Sequence, residues 1–146
     1  EESLQKEGLI HSIGFAMRSA CMMNKHLNIA APLYAYEFDV PIPGWDDPGT
    51  FHSVDLWFFF ETLAKCWRPF VGRHYDLARQ MCNYWANFIK TGNPNGKDAD
   101  GSDMPYWESY SKDKRGEMVF SSSGAVGQTE NDPFMQFLSE YIQKEF

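Results

Sequence analysis

The chain has 146 residues, the length of one ordinary domain, and its balance of 43% hydrophobic and 23% charged residues excludes a disordered chain. A formal net charge of −7 argues against a nucleic-acid partner, because such proteins present clustered Lys and Arg to the phosphates. No apolar run approaches the roughly 20 residues of a membrane span, so no membrane segment is predicted, and the cellular compartment stays undetermined.

The first predicted elements are a helix and a strand. Residues 9–28 carry apolar side chains near the helical period, which predicts an amphipathic helix. His11 and His26 lie on or beside it and are interpreted as surface or packing residues, since neither has a carboxylate or cysteine at ligand spacing. Residues 33–38, rich in Tyr and Phe and bounded by prolines, predict a strand. Helix, short turn and strand in this order are typical of an α/β unit.

A loop with one histidine follows. Prolines and glycines exclude regular structure over residues 39–49. Asp46 and Asp47 in this loop have the chemistry of a partner for His52 or of metal ligands, but turn residues are the favoured interpretation. His52 then begins a predicted helix over residues 52–64. A histidine on a loop between a strand and a helix is well placed to act as a general base.

Asp55 lies three residues after His52, in the first turn of that predicted helix. A carboxylate there is favoured by the helix dipole, which is sufficient reason for its presence. The same carboxylate is also well placed to support the histidine loop. The sequence leaves both roles open.

The second half of the chain predicts two more helices and a second strand. A helix over residues 74–91 ends at Gly92, a typical C-terminal cap, and a Pro-containing turn follows. A second strand is predicted near residues 117–120, followed by a flexible segment at 121–124. A last helix is predicted from residue 132 or 133 to 144.

The sequence predicts no metal site and no cofactor. Asp98–Asp103 resembles part of a calcium loop, but the match fails at Gly96 and at Trp107, so a polar surface turn is favoured. The cysteines lie far apart, without the spacing of a zinc site, and are interpreted as idle thiols. They are Cys21, Cys66 and Cys82.

Three separated motifs resemble the C-terminal part of the type-B carboxylesterases, the α/β-hydrolase branch of p-nitrobenzyl esterases, liver carboxylesterases and cholinesterases. Leu33–Asp39 is similar to the strand that leads to the catalytic histidine, and Gly49–Leu56 is similar to the histidine loop. Asn83–Gly96, followed by Pro105–Trp107 and Tyr110, resembles the later signatures Trp-x-x-Phe, Thr-Gly-x-Pro-Asn and Trp-Pro-x-Tyr. The chain departs from the pattern by inverting the last Trp-Pro order and by placing Asp where Glu is commoner after the histidine.

The resemblance implies an α/β fold: the C-terminal piece of an α/β-hydrolase, mostly helical in itself, with one or two strands of the parent sheet. Residues 1–146 are then one incomplete domain. The family's Gly-x-Ser-x-Gly nucleophile motif does not occur in this sequence, so the serine and the acid are expected upstream of residue 1. The resemblance assigns His52 the role of catalytic base, Asp55 the support of its loop, and Trp45 one wall of the substrate pocket.

The predicted function is therefore that of a segment of a serine carboxylic-ester hydrolase that supplies the catalytic histidine and is inactive alone. Its expected partners are a small-molecule ester and the upstream part of the same protein. The alternative is a non-catalytic binding or interaction domain derived from an esterase, which pairs with a partner or with itself through an exposed strand edge. The identity of the ester is not determined by the sequence.

Overall fold

The computed structural model describes residues 31–111 and 114–131, together with residues 133, 136, 137 and 140. The chain divides into two compact units, one of Pro32–Thr129 and one of Glu1–Ala31 with Glu130–Phe146. The helix predicted at residues 9–28 and most of the one predicted near the C-terminal end lie outside the described residues. Within the described part, no helix has the length and apolar character needed to cross a membrane.

The larger unit combines one short sheet with two helices. Its elements are β1 (Ala35–Asp39), α1 (Asp55–Phe59), a 3₁₀ turn (Leu63–Lys65), α2 (Gly72–Thr91), β2 (Gly116–Ser121) and β3 (Gly124–Thr129). The strand order is β1-β2-β3, with β1 parallel to β2 and β2 antiparallel to β3. The α/β class is confirmed, and the described strands exceed by one the expected maximum of two.

The additional strand is β3, which forms a hairpin with β2, and the segment 121–124 that was predicted to be flexible contains the turn between them. Ser121 and Gly124 face each other across a turn of two residues. Its sequence gives a weak strand signal because glycine is depleted in strands. Gly127 is required by packing, since a Cβ there would collide with the backbone carbonyl oxygen of Tyr106. The strand is therefore specified by what lies against it.

Helix α1 is much shorter than the predicted helix of residues 52–64. It ends because Glu61 adopts a left-handed conformation with φ of 49°. The Glu61 N–H donates to the Phe58 carbonyl and the Thr62 N–H donates to the Trp57 carbonyl, which is the hydrogen-bond pattern of a Schellman cap. That cap usually contains glycine, so a glutamate gives no sequence signal for the helix end.

Helix α2 confirms the predicted end at Thr91 and begins two residues before the predicted start at residue 74. It begins at Gly72, where the His74 side chain accepts a hydrogen bond from the Val71 N–H through Nδ1 at 2.9 Å. Burial, together with the nearby charge of Arg73, lowers the pKa of His74, which favours the neutral, accepting form. At the other end Gly92 is left-handed, with φ of 74°, as expected of a C-terminal cap.

The core between the sheet and the helices is unusually aromatic. Trp107, Tyr84, Phe58 and Phe120 are among its fully buried side chains. Trp107 is central, because its ring makes edge contacts with Tyr34, Tyr36, Tyr84 and Phe120 at centroid distances of 5.5 to 6.1 Å. The high aromatic content of the sequence is thus explained in part by this core.

Candidate active site

The histidine loop, residues 48–54, is anchored at both sides of His52. On one side the Thr50 hydroxyl donates to the Val40 carbonyl at 3.0 Å, which ties the loop to the end of β1. On the other side the Val54 side chain is buried, and its N–H donates to the Phe51 carbonyl at 3.2 Å. The loop therefore has a defined backbone path, although most of its residues are exposed.

His52 is exposed at the centre of this loop. Across the described residues it makes no hydrogen bond and no ion pair. A catalytic histidine normally has two partners, one for each ring nitrogen. The loop thus presents an exposed imidazole that has no hydrogen-bond partner among the described residues.

The backbone conformation of Ser53 explains why a small residue directly follows His52. Its φ of +66° lies in the left-handed region, which glycine adopts readily and which is unfavourable for most other residues. The Ser53 carbonyl accepts a hydrogen bond from the Leu56 N–H at 3.2 Å, so this conformation begins the first turn of α1. The sharp backbone turn at Ser53 lets His52 project while α1 starts two residues later.

This geometry predicts that two substitutions at Ser53 differ in their effect on stability. We expect Ser53→Gly to change the free energy of unfolding by less than about 1 kcal/mol, because the strain that it relieves is offset by glycine's greater freedom in the unfolded chain. We expect Ser53→Val to destabilise the protein by about 2 kcal/mol, because a β-branched residue is disfavoured at positive φ. Urea unfolding followed by circular dichroism measures both. Equal stability of the two variants would contradict the prediction.

Asp55 makes no hydrogen bond or ion pair with His52. Its Oδ2 accepts a hydrogen bond from the Tyr36 hydroxyl at 2.8 Å, which connects the first residue of α1 to β1. No side-chain capping bond is made at the start of this helix. The carboxylate therefore joins two elements rather than touching the imidazole.

Trp45 is 89% exposed and lies against Trp67, with ring centroids 6.5 Å apart. Arg68 connects this pair to the histidine loop, because its guanidinium Cζ lies 4.6 Å from the Trp67 ring centroid and 5.7 Å from that of Phe51. Phe51 directly precedes His52. The predicted pocket residue and the predicted base are thus linked through one arginine.

Arg68 also fixes the loop that carries Trp45. Its Nη1 and Nη2 donate to the two carboxylate oxygens of Asp46, each at 2.9 Å, and Nη1 also donates to the Pro43 carbonyl at 3.2 Å. The hydrogen bonds from Arg68 hold the pKa of Asp46 below its usual value. Asp46 therefore pairs with an arginine and not with His52.

The three aspartates of the calcium-like loop all have partners among neighbouring residues. Asp100 accepts hydrogen bonds from the Ser102 N–H at 2.9 Å and from the Ser102 hydroxyl at 2.6 Å. Asp98 accepts hydrogen bonds from Asn83 at 2.7 Å and from Arg79 at 3.4 Å, and Lys97 lies 2.6 Å from Asp103. Among the residues that the structure describes, no group of three or more His, Cys, Asp or Glu side chains could hold a metal ion. This loop connects α2 with the segment that leads to Trp107.

Three residues near the histidine were not identified from the sequence: Tyr36, Thr50 and Arg68. Thr50 and Arg68 gave no signal, since each acts on a carbonyl or carboxylate at least ten residues away. Tyr36 gave a partial signal in the sequence. Alternation of Tyr34, Tyr36 and Phe38 indicates one aromatic face of a strand, but the partner of a hydroxyl on that face depends on the packing of α1.

Comparison with known proteins identifies the family. The carboxylesterase family model matches residues 5–138. Carboxylesterase 4A of Bos taurus is 36% identical over 99 residues, which are 62% of this chain and 16% of that protein. Carboxylesterase 1D of Rattus norvegicus is 27% identical over 150 residues, covering 95% of this chain and 24% of that protein.

A solved structure supports the same assignment. The carboxylesterase of Geobacillus stearothermophilus superposes with a TM-score of 0.51 and 28% identity, over 76% of this chain and 22% of that one. The chain thus spans about a quarter or less of the length of each of these relatives. Its fold is that of a piece of an α/β-hydrolase, and the chain belongs to the carboxylesterase family.

Proposed function

We propose that this chain is the C-terminal segment of a serine carboxylic-ester hydrolase and that His52 is the catalytic histidine of that enzyme. The observation that carries the proposal is an exposed, unpartnered imidazole, within the described residues, on a loop anchored on both sides. It lies in the segment whose sequence resembles the family's histidine loop. Residues 1–146 are accordingly one incomplete domain.

The proposed mechanism uses His52 for four proton transfers. One ring nitrogen takes the proton of a serine hydroxyl as the serine oxygen attacks the ester carbonyl carbon. The resulting imidazolium returns the proton to the leaving alcohol oxygen when the ester C–O bond breaks. The neutral imidazole then removes a proton from water as the water oxygen attacks the acyl-enzyme carbonyl carbon. The imidazolium returns this proton to the serine oxygen when the acyl C–O bond breaks, which releases the carboxylic acid and restores the serine hydroxyl.

The serine and the orienting acid are proposed to come from another part of the same protein. This sequence contains no Gly-x-Ser-x-Gly motif, and the chain spans 24% or less of the two mammalian relatives. The two ring nitrogens of His52 would meet these two partners. Hydrolysis of this kind requires no cofactor.

Asp55 and Trp45 are proposed to assist without taking part in proton transfer. Asp55 would hold the start of α1, and with it the end of the histidine loop, through its bond to Tyr36. Trp45 would form one wall of the site for a small-molecule ester, since its aromatic pair is joined to Phe51 through Arg68. Burial of an exposed tryptophan ring against an apolar acyl or alcohol group would favour binding.

Assays of the isolated chain and of the longer protein that contains it test the proposal. With p-nitrophenyl acetate, we expect the longer protein to hydrolyse the ester and the isolated chain to be at least about 10³-fold slower, because the nucleophile is absent. The His52→Ala form of the isolated chain is the control for hydrolysis by the imidazole itself. Comparable specific activity in the isolated chain and the longer protein would overturn the proposal and would locate the nucleophile within these residues.

A further inference from the structure

A hydrogen bond joins β1 to the end of the histidine loop, between residues that lie 19 positions apart in the sequence. The Tyr36 hydroxyl donates to Asp55 Oδ2 at 2.8 Å. A bond to a carboxylate is stronger than one between neutral groups. Since Asp55 is the first residue of α1, this bond sets where the helix begins relative to the sheet.

Tyr36 itself is held firmly in place. Its backbone pairs with Met118 in the parallel ladder of β1 and β2. Its ring makes edge contacts with four aromatic rings at centroid distances of 5.5 to 6.3 Å, namely those of Phe59, Trp85, Trp107 and Phe120. These contacts restrain the position of the Tyr36 hydroxyl relative to the sheet.

The chemistry of Tyr36 suits a permanent donor. Burial raises the pKa of Tyr36, and the hydrogen bond to Asp55 raises it further. The phenol thus keeps its proton across the pH range in which ester hydrolases are assayed. The contact does not switch with pH in that range.

The connection from Asp55 back to His52 is short and stiff. The Leu56 N–H donates to the Ser53 carbonyl at 3.2 Å, and Ser53 holds a left-handed backbone conformation. The buried Val54 side chain lies between them. Displacement of Asp55 would therefore move the backbone next to His52, whereas the Thr50 bond restrains only the other side of the loop.

We infer that Tyr36 is a positioning residue for His52 and acts through its hydrogen bond to Asp55. The inference rests on the proposed function of His52. Tyr36 touches neither substrate nor the reacting atoms. It fixes the distance and angle at which the imidazole meets the serine, and small displacements there reduce rate strongly.

The test uses the longer protein with Tyr36→Phe, which removes the hydroxyl and keeps the ring. We expect kcat for p-nitrophenyl acetate to fall roughly 10-fold with KM unchanged, because orientation and not substrate binding is lost. Tyr34→Phe is the matched control: Tyr34 packs against Trp107, and its hydroxyl makes no hydrogen bond within the described residues. Its kcat should stay within about twofold of the parent, and both variants should melt within about 5 °C of it.

Two further variants separate this role from general packing. Asp55→Ala should lower kcat as much as Tyr36→Phe, and the double variant should be no slower than either single one, because both remove the same bond. Asp55→Glu keeps a carboxylate and should restore most of the activity lost in Asp55→Ala.

Three outcomes would overturn the inference. They are equal kcat values for Tyr36→Phe and Tyr34→Phe, a change confined to KM, and a double variant whose losses multiply to about 100-fold. Full activity of a His52→Ala protein would instead overturn the proposed function, and the inference with it. The two failures are therefore distinguishable.

Discussion

Replacing His52 by alanine in the longer protein should lower kcat for p-nitrophenyl acetate by about 10⁴-fold or more, because removal of the general base has an effect of this size in serine hydrolases. The serine hydroxyl would have no base to accept its proton, and the leaving alcohol would have no acid. His52 is exposed and makes no hydrogen bond within the described residues, so its removal should leave the fold intact. Steady-state kinetics and thermal melting measure the two effects separately.

His11→Ala is the matched control for this substitution. His11 has no carboxylate or cysteine at ligand spacing in the sequence, and we expect its loss to leave kcat within about twofold of the parent value. A His52→Ala protein that keeps a tenth or more of the parent kcat would contradict the role of His52. Parallel loss of the melting transition would assign His52 a structural role instead.

Replacing Trp107 by alanine should produce the largest loss of stability in the described part of the chain, about 3–5 kcal/mol. Its ring is 2% exposed and lies among four aromatic rings, so alanine would leave a large cavity. The indole Nε1 also donates to the Ala35 carbonyl of β1 at 2.9 Å, and this hydrogen bond would be lost as well. Urea unfolding of the longer protein, followed by circular dichroism, measures the loss.

Two variants calibrate the Trp107 result. Trp107→Phe keeps most of the ring volume and loses the indole donor. It should therefore destabilise the protein by only roughly 1–3 kcal/mol, less than Trp107→Ala. Trp45→Ala removes the same kind of side chain from a site that is 89% exposed, and we expect a change within about 0.5 kcal/mol. Similar losses for Trp107→Ala and Trp45→Ala would show that burial does not determine the effect.

The family signatures after the histidine loop are explained by this core rather than by catalysis. Asn95 Oδ1 accepts a hydrogen bond from the Trp107 N–H at 2.7 Å, and Asn95 Nδ2 donates to the Trp107 carbonyl at 2.9 Å. The Asn87 amide donates to the Pro94 carbonyl at 3.2 Å in the same turn. The Thr-Gly-x-Pro-Asn segment therefore places Trp107, whose ring in turn contacts Tyr36.

The sequence by itself determined the features that are specified locally. The C-terminal end of α2 was predictable because two local signals mark it, a glycine cap at Gly92 and the Pro-containing turn directly after it. The position of β1 and the exposed loop with His52 were predictable for the same reason, since prolines and glycines bound them. The family resemblance also rested on contiguous motifs, and the match over residues 5–138 confirms it.

Only the tertiary structure decided the features that depend on distant contacts. Helix α1 ends at Phe59, before a left-handed Glu61 where glycine is usual. Strand β3 forms despite two glycines, and Gly127 is required because it lies against the Tyr106 backbone. The partner of Asp55 is Tyr36, which no spacing rule connects to it. In each case the free energy comes from packing or a hydrogen bond between segments far apart in the chain, whereas sequence patterns report mainly the preferences of neighbours.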